Sequence, residues 1–117
     1  MTIYIPITAM PTPRPRIDPR SHRVYLPQWY KNYKETIAKY FLNAKVVMFN
    51  TDVAVRIDVY KKKRLEKRIY GDVDNIAKGI LDAGNGILWK DDSIITYLSL
   101  QKHFSEQEYI AVSVDGK

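Results

Sequence analysis

Residues 52–60, DVAVRIDVY, are the stretch of the sequence that decides the fold. Apolar side chains occupy every second position and would share one face of an extended chain: Val53, Val55, Ile57 and Val59. The other face would carry Ala54, Arg56 and Asp58. Side chains of a strand alternate between its two faces, and β-branched residues favour an extended backbone. The pattern therefore predicts a half-buried β-strand with one face in the core.

Downstream of this strand, the sequence predicts a helix and two further strands. From Asp74 to about Ala83 apolar residues recur at helical spacing, with Asp74 as a candidate N-cap and the GNG sequence at 84–86 as a stop. SIITYLSLQ (93–101) and EYIAVSV (108–114) have the alternation typical of strands. We expect these two strands to be neighbours in a hairpin.

Upstream, one helix and one short strand are predicted. IYIPI (3–7) indicates a short strand, and Pro6 favours an edge position or a strand end. MPTPRPRIDPR (10–20) has four prolines in eleven residues, so we expect no regular element there. Between Gln28 and Asn43 the apolar residues follow the three-and-four spacing of an amphipathic helix: Tyr30, Tyr33, Ile37, Tyr40 and Phe41.

The order β-α-β-α-β-β predicts an α/β (α+β) fold, as one small domain over residues 1–117 with a mixed sheet and helices packed on it. An apolar fraction of 45% is ordinary for a globular protein. The chain has no cysteine, which excludes disulfide scaffolds and thiolate metal sites and fits a reducing compartment. We identify no signal peptide and no apolar stretch long enough to span a bilayer, so we expect a cytoplasmic protein without a membrane partner.

Positive charge is concentrated in two segments. Nineteen Lys and Arg against thirteen Asp and Glu give a formal net charge of +6 at pH 7, which favours nucleic acid as a partner. The first basic cluster contains Arg14, Arg16, Arg20 and Arg23. The second basic cluster contains Lys61, Lys62, Lys63, Arg64, Lys67 and Arg68. Both clusters, with Tyr25 and Tyr70 beside them, are candidate DNA contacts; a charged, solvated loop is the alternative for each cluster.

The sequence GDVDN at 71–75 places two aspartates two positions apart, directly after the second basic cluster. If residues 71–73 are extended, Asp72 and Asp74 project to the same side and repel each other unless a cation lies between them. Carboxylate oxygens suit Mg²⁺ or Mn²⁺. Lys78 lies one helical turn after Asp74 and can reach a phosphate bound at the metal. Spacing alone leaves a second interpretation open, in which Asp74 is a plain cap and Lys78 forms a surface ion pair with Asp82.

WKDD at 89–92 contributes two further carboxylates. Because adjacent side chains of an extended chain point to opposite sides, we expect one of Asp91 and Asp92 to face the site. We interpret Trp89 as a core residue. His22 and His103 have no metal-ligand spacing, and we interpret both as non-catalytic.

The stretch GDVDNIAKGILDAGNGILWKDDSII (71–95) resembles the signature of the RusA-type Holliday-junction resolvases, which are small phage- and prophage-associated endonucleases. That pattern consists of D-x-D-N-x-x-K, a helix ending near D-A, a short turn with glycine, and W-x-D-D opening a strand. Every part is present here, in order and at matching spacing. One departure is Gly71, where some members have a basic residue, so the resemblance does not extend a DNA contact to this position.

The resemblance implies a homodimer that binds four-way junction DNA and cuts two opposed strands symmetrically, with Mg²⁺ or Mn²⁺ as cofactor. The acidic residues of the family fall on Asp72, Asp74 and Asp92, its essential lysine on Lys78, and its asparagine on Asn75. We therefore expect a metal-dependent, structure-selective DNA endonuclease of recombination and repair. Two alternatives are a non-catalytic nucleic-acid-binding module and a metal nuclease that acts on other branched DNA.

Overall fold

The computed structural model of the protein describes residues 1–62 and 71–116. Its elements are β1 (Thr2–Ile5), β2 (Arg16–Ile17), β3 (Val24–Tyr25), α1 (Gln28–Asn43), β4 (Val53–Lys61), α2 (Val73–Gly84), β5 (Ile95–Phe104) and β6 (Tyr109–Gly116). Four strands form one sheet in the order β1-β6-β4-β5, while β2 and β3 form a separate two-stranded ribbon. β4 is parallel to β5 and antiparallel to β6. The predicted α+β fold with a mixed sheet and two packed helices is confirmed.

β4 lies inside the sheet, and the inner face that its alternating sequence predicts is in the core. The four predicted inward residues, Val53, Val55, Ile57 and Val59, are fully buried. They belong to the same core cluster as the buried residues of α1 and α2. Because parallel strands need a crossover connection, the chain between β4 and β5 must leave the sheet, and α2 forms part of that crossover. This connection places α2 on the inner side of the sheet, where it contacts α1 and β5.

The expectation that the last two strands form a hairpin is wrong. β5 and β6 lie on opposite sides of β4. The connection at 105–108 passes the end of β4, where the Ser105 N–H donates to the carbonyl of Lys61 at 2.9 Å. β4 has four β-branched residues on its inner face, and it buries the largest apolar area when it lies between two other strands. This gain outweighs the proximity of β5 and β6 along the chain.

Both helices form where the apolar spacing predicts them. α1 has the predicted bounds, and four of its five predicted core residues are buried. The exception is Tyr40, which is 36% exposed because it lies at the margin of the apolar stripe. α2 packs closely on α1 through Gly79, where an added Cβ would stand 2.6 Å from the Tyr30 hydroxyl. Within the described residues, no helix is long and apolar enough to cross a lipid bilayer.

The expectation of no regular structure between residues 10 and 20 is wrong at its end. Arg16 and Ile17 form β2, which pairs with β3 so that Arg16 lies opposite Tyr25 and Ile17 opposite Val24. Prolines precede and follow β2 without interrupting it, so the two residues keep the N–H groups that a ladder requires. The first basic cluster is therefore built on and around an ordered ribbon.

Asp18 fastens the turn between the two ribbon strands. Its N–H donates to the carbonyl of Arg23 at 2.9 Å, and its carboxylate accepts from the backbone N–H of Arg20 at 2.8 Å. The second bond lowers the pKa of Asp18, with a contribution from Ser21. His22 adopts a left-handed backbone with φ of 58°, a conformation that closes tight turns. The prolines are visible in the sequence, but the turn is determined by these hydrogen bonds of Asp18.

The outer face of β4 differs from the prediction at Asp58, which is 7% exposed. Its Oδ1 lies 2.8 Å from Nε2 of His103, and its Oδ2 accepts from Nε of Arg56 at 3.1 Å. The Tyr60 ring stacks on His103 with centroids 4.6 Å apart. A buried carboxylate needs such partners. His103 therefore has a structural role on the sheet face opposite to α2.

Tyr33 of α1 provides a stability prediction at high pH. Its hydroxyl accepts from the N–H of Met10 at 3.1 Å, and burial raises its pKa to about 12 from 10.0. The folded protein keeps the phenol proton to higher pH than the unfolded chain, so this stabilisation is fully present below pH 10 and is lost as the pH rises towards 12. Its size is roughly 2–3 kcal/mol.

We expect Tyr33→Phe, which cannot ionise, to flatten the decline in the free energy of unfolding between about pH 10 and 12. Urea denaturation at a series of pH values measures this decline. Tyr4→Phe is the matched control, since Tyr4 is 65% exposed. A Tyr33→Phe protein whose stability declines as steeply as the wild type would contradict the assignment.

Candidate active site

α2 begins directly after Asp72, which is its N-cap. Asp72 is extended, with φ of −75° and ψ of 146°, and its carbonyl accepts the N–H of Ile76 at 3.0 Å. The prediction that Asp74 caps the helix is therefore wrong, because Asp74 lies inside the first turn. Asp72 makes no side-chain capping hydrogen bond, and both carboxylates are exposed. The positive amino end of the helix stabilises negative charge at this position.

Trp89 fixes the other end of α2. It is fully buried, its Nε1 donates to Oδ1 of Asn85 at 2.8 Å, and its ring lies where a side chain at Gly84 would be, 2.5 Å from an added Cβ. The interpretation of Trp89 as a core residue is confirmed. The next residue is also held, because the Lys90 N–H donates to the Phe49 carbonyl at 3.0 Å. These contacts hold the backbone that leads into the two following aspartates.

Asp91 and Asp92 have different environments. Asp91 accepts the N–H of Ser93 at 2.9 Å and caps a short 3₁₀ turn at Asp92–Ile94. That hydrogen bond lowers the pKa of Asp91. The pKa of Asp92 is raised, first by its hydrogen bond with Asp91, then by burial and by the charges of Asp91 and Asp82. Asp91 is thus engaged in the turn.

Lys78 is exposed on α2 and forms no ion pair with any of the residues in the described ranges. Its alternative interpretation as the partner of Asp82 is wrong, because Oδ2 of Asp82 lies 3.9 Å from Nζ of Lys34 in α1. Asn75, Lys78 and Asp82 follow three-and-four spacing and share one side of α2. The amine of Lys78 is therefore available to a ligand on this side.

The proline-rich arm packs on the start of α2. The Thr12 hydroxyl donates to the carbonyl of Asn75 at 2.9 Å and lies 2.8 Å from the hydroxyl of the buried Tyr30. The Thr12 N–H also donates to the Asn75 carbonyl, at 3.3 Å. These bonds position Arg14 so that it shares a cleft with Asn75 and Lys78.

This cleft, beside α2, has a volume of about 680 Å³, which is within the range of ligand sites in proteins. Its walls come from α2, α1, the arm and the ribbon, with lining side chains that include Arg14, Tyr25, Tyr30, Lys31, Asn75, Lys78 and Asp82. Lys31 is not among the site residues that the sequence predicts, although it lines the cleft. No local signal identifies this residue, because only the packing of α1 on α2 brings it to the cleft.

The structure does not gather the three predicted metal ligands into one cluster. Within residues 1–62 and 71–116, no three His, Cys, Asp or Glu side chains lie close enough together to hold a metal ion. Asp72 and Asp74 are at the first turn of α2, whereas Asp92 lies within the electrostatic reach of Asp82 in the last turn. The rise from Asp74 to Asp82 is about 12 Å. The donor chemistry fits Mg²⁺ or Mn²⁺, so metal binding remains a prediction that requires these carboxylates to approach one another.

The two basic clusters have different positions. Arg14 lines the cleft, and the other members of the first basic cluster are exposed on the ribbon and its turn: Arg16, Arg20 and Arg23. Lys61 ends β4, and the N–H of the next residue, Lys62, donates to Oε1 of Glu108 at 3.4 Å. Four predicted DNA contacts, and Tyr70, lie outside the described residues: Lys63, Arg64, Lys67 and Arg68.

Exposed carboxylates, a lysine without an ion pair in the described part of the chain and a cleft with cationic side chains make α2 the candidate site for a phosphate-bearing substrate. Comparison with known families then identifies the chain: the model described as Endodeoxyribonuclease RusA matches residues 6–115, so the protein belongs to the RusA endodeoxyribonuclease family. The resemblance seen in residues 71–95 is confirmed, and with it the assignment to endonucleases that act on Holliday junctions.

One relative comes from Bacillus subtilis (strain 168). The uncharacterized protein YqaN is 28% identical over 123 aligned positions, which cover 86% of this chain and 85% of that protein. The similarity extends over most of both chains, so it is not limited to the aspartate-rich segment.

Proposed function

We propose that the protein is a metal-dependent, structure-selective endonuclease that resolves Holliday junctions by two symmetric hydrolyses of phosphodiester bonds, in DNA recombination and repair. Family membership supports the substrate class. The main support for an active site on α2 is Lys78. This lysine forms no ion pair within the described part of the chain and lines a cleft together with Arg14. The alternative, in which Lys78 only stabilises α2 as an i,i+4 partner, requires a carboxylate partner on the same helix, and Lys78 has none among the described residues.

Each residue of the site has a proposed role. Asp72, Asp74 and Asp92 would hold Mg²⁺, with Mn²⁺ as a substitute, through carboxylate oxygens once they approach one another. When bound, such an ion activates water and offsets negative charge on the phosphate. Lys78 contributes a fixed positive charge to the scissile phosphate as charge develops there. Asn75 and the basic clusters hold the DNA strands.

The ribbon arginines give a salt-dependence prediction. Arg16, Arg20 and Arg23 are exposed, and a cation that neutralises a DNA phosphate releases counterions. Replacing all three by Gln is expected to reduce the slope of log affinity against log salt by up to about 2.7. Fluorescence anisotropy of a labelled junction over a salt series measures this slope. A double change of Lys39 and Lys45 to Gln, at exposed positions outside both clusters, is the control; a triple variant with the wild-type slope would show that the ribbon does not contact DNA.

A homodimer is the second part of the proposal. A four-way junction has approximate two-fold symmetry, and two symmetric cuts require two active sites related by a two-fold axis. Analytical ultracentrifugation of the free protein at micromolar concentration should give twice the chain mass of 13.7 kDa. A protein that remains monomeric when it is bound to junction DNA would contradict this part.

A cleavage panel tests the substrate preference. Purified protein with Mg²⁺ is incubated with a four-way junction, a three-way junction, a flap and linear duplex of matched sequence. We expect rapid cutting of the four-way junction and slow cutting of the others. Equal rates on flaps and four-way junctions would instead indicate a nuclease of branched DNA in general, and binding without any cutting would indicate a binding module.

A further inference from the structure

The cleft beside α2 points to how the substrate strand is held, and this inference rests on the function proposed above. We propose that the cleft receives one unstacked nucleotide of the strand that is cut. Its base lies against the ring of Tyr25, and its phosphates lie among Arg14, Lys31 and Lys78.

The charge of the cleft favours an anionic ligand. Three cationic side chains line it, against one carboxylate, Asp82. That carboxylate is drawn to Lys34, whose Nζ lies 3.9 Å away, so its charge is partly offset. The cleft is therefore positive overall, and phosphate groups complement it. Its volume of about 680 Å³ accommodates a nucleotide, and its walls are formed by the ribbon, the arm and both helices.

Tyr25 supplies the surface for the base. It is 45% exposed, and the pairing of β2 with β3 holds its backbone at the wall of the cleft. Within the described ranges its ring contacts no other aromatic ring, whereas Tyr30 stacks on Tyr33 with centroids 5.9 Å apart. Aromatic side chains with a free face stack on bases of any sequence. Tyr30 is buried and bonded to Thr12, so it forms the floor.

A branched substrate suits such a cleft. Unstacking a nucleotide from a double helix costs free energy, and this cost is lowest where the stack is already interrupted. In the open form of a four-way junction, whose arms are not stacked on one another, the bases at the branch point lack a stacking neighbour on one side. The cleft would therefore favour a branched substrate over linear duplex, in addition to any preference that dimer geometry provides.

The test is a double-mutant cycle between Tyr25 and the base. Binding is measured in EDTA, so that no strand is cut, on a series of four-way junctions in which each nucleotide within three positions of the branch is replaced in turn by an abasic analogue. Tyr25→Ala is expected to weaken binding of the intact junction by about 5- to 150-fold, the range for loss of one base–aromatic stack. At one abasic position this penalty should disappear. Tyr25→Phe should bind as the wild type does.

Tyr4→Ala is the matched control, because Tyr4 is 65% exposed and lies on β1 outside the cleft. A Tyr25→Ala penalty of equal size at every abasic position would overturn the proposal, since Tyr25 would then contact only the backbone. Wild-type binding to the intact junction by Tyr25→Ala would also overturn it. Neither result affects the proposed function, which fails instead if the wild-type protein does not prefer the junction to linear duplex.

Discussion

We expect replacement of Asp72, Asp74 or Asp92 by Asn to abolish junction cleavage but to leave junction binding intact. Asn keeps the size of the side chain and removes the negative charge that a divalent cation requires. Groups that act as one catalytic unit are each indispensable, so every single variant should lose activity by on the order of 10³-fold or more. Single-turnover cleavage measures the loss, and anisotropy of the same labelled junction measures binding.

Asp91→Asn is the matched control for these variants. Asp91 accepts the Ser93 N–H at 2.9 Å, a role that an Asn oxygen can also fill, so cleavage should stay near the wild-type rate. If Asp91→Asn lost activity while Asp92→Asn kept it, the assignment of the two neighbours would be reversed. If none of the three predicted ligands affected cleavage, the site would lie elsewhere on the protein.

Lys78→Ala should lower the rate of the chemical step by on the order of 10²–10³, as removal of other transition-state donors does. The thermal melt should change little, because Lys78 makes no ion pair with the rest of the described structure. Lys78→Arg should restore activity only in part, since a guanidinium keeps the charge but differs from an ammonium in shape and hydration.

The control for Lys78→Ala is Lys34→Ala, which removes the ion pair with Asp82. An exposed or half-exposed pair contributes little to stability, and Lys34 is not among the residues that line the cleft. Lys34→Ala should therefore cut at a normal rate. A folded Lys78→Ala protein that cuts at the same rate as Lys34→Ala would exclude Lys78 from the reaction.

The helices and strands follow from local pattern, but their arrangement in the sheet does not. The spacing of Tyr30, Tyr33, Ile37 and Phe41 predicts α1 because the period of an amphipathic helix is set by neighbours on one turn. The separation of β5 from β6 by β4 depends on which strand gains most from an interior position. That comparison involves the whole core, and a sequence window does not contain it.

The candidate site, like the fold, is predictable from the sequence only where its residues are neighbours along the chain. The aspartates, Lys78 and Asn75 belong to one continuous motif, which the sequence displays directly. The cleft forms only because Thr12 bonds to Asn75 and Tyr30 and so carries Arg14 to α2. The burial of Asp58 on the outer face of β4 is not predictable from the sequence, because its partner His103 lies on another strand. Long-range side-chain bonds of this kind leave no periodic signal.

The most direct measurement is cleavage of a synthetic four-way junction by the purified protein with Mg²⁺ and with EDTA, with products mapped on all four strands. Asp72→Asn, purified in parallel, excludes a contaminating nuclease. We expect two symmetric nicks on opposed strands with Mg²⁺, no cutting in EDTA, full recovery when Mg²⁺ is restored, and no cutting by the variant. Undiminished cutting in EDTA, or equal cutting by Asp72→Asn, would contradict a metal-dependent resolvase with its active site at the start of α2.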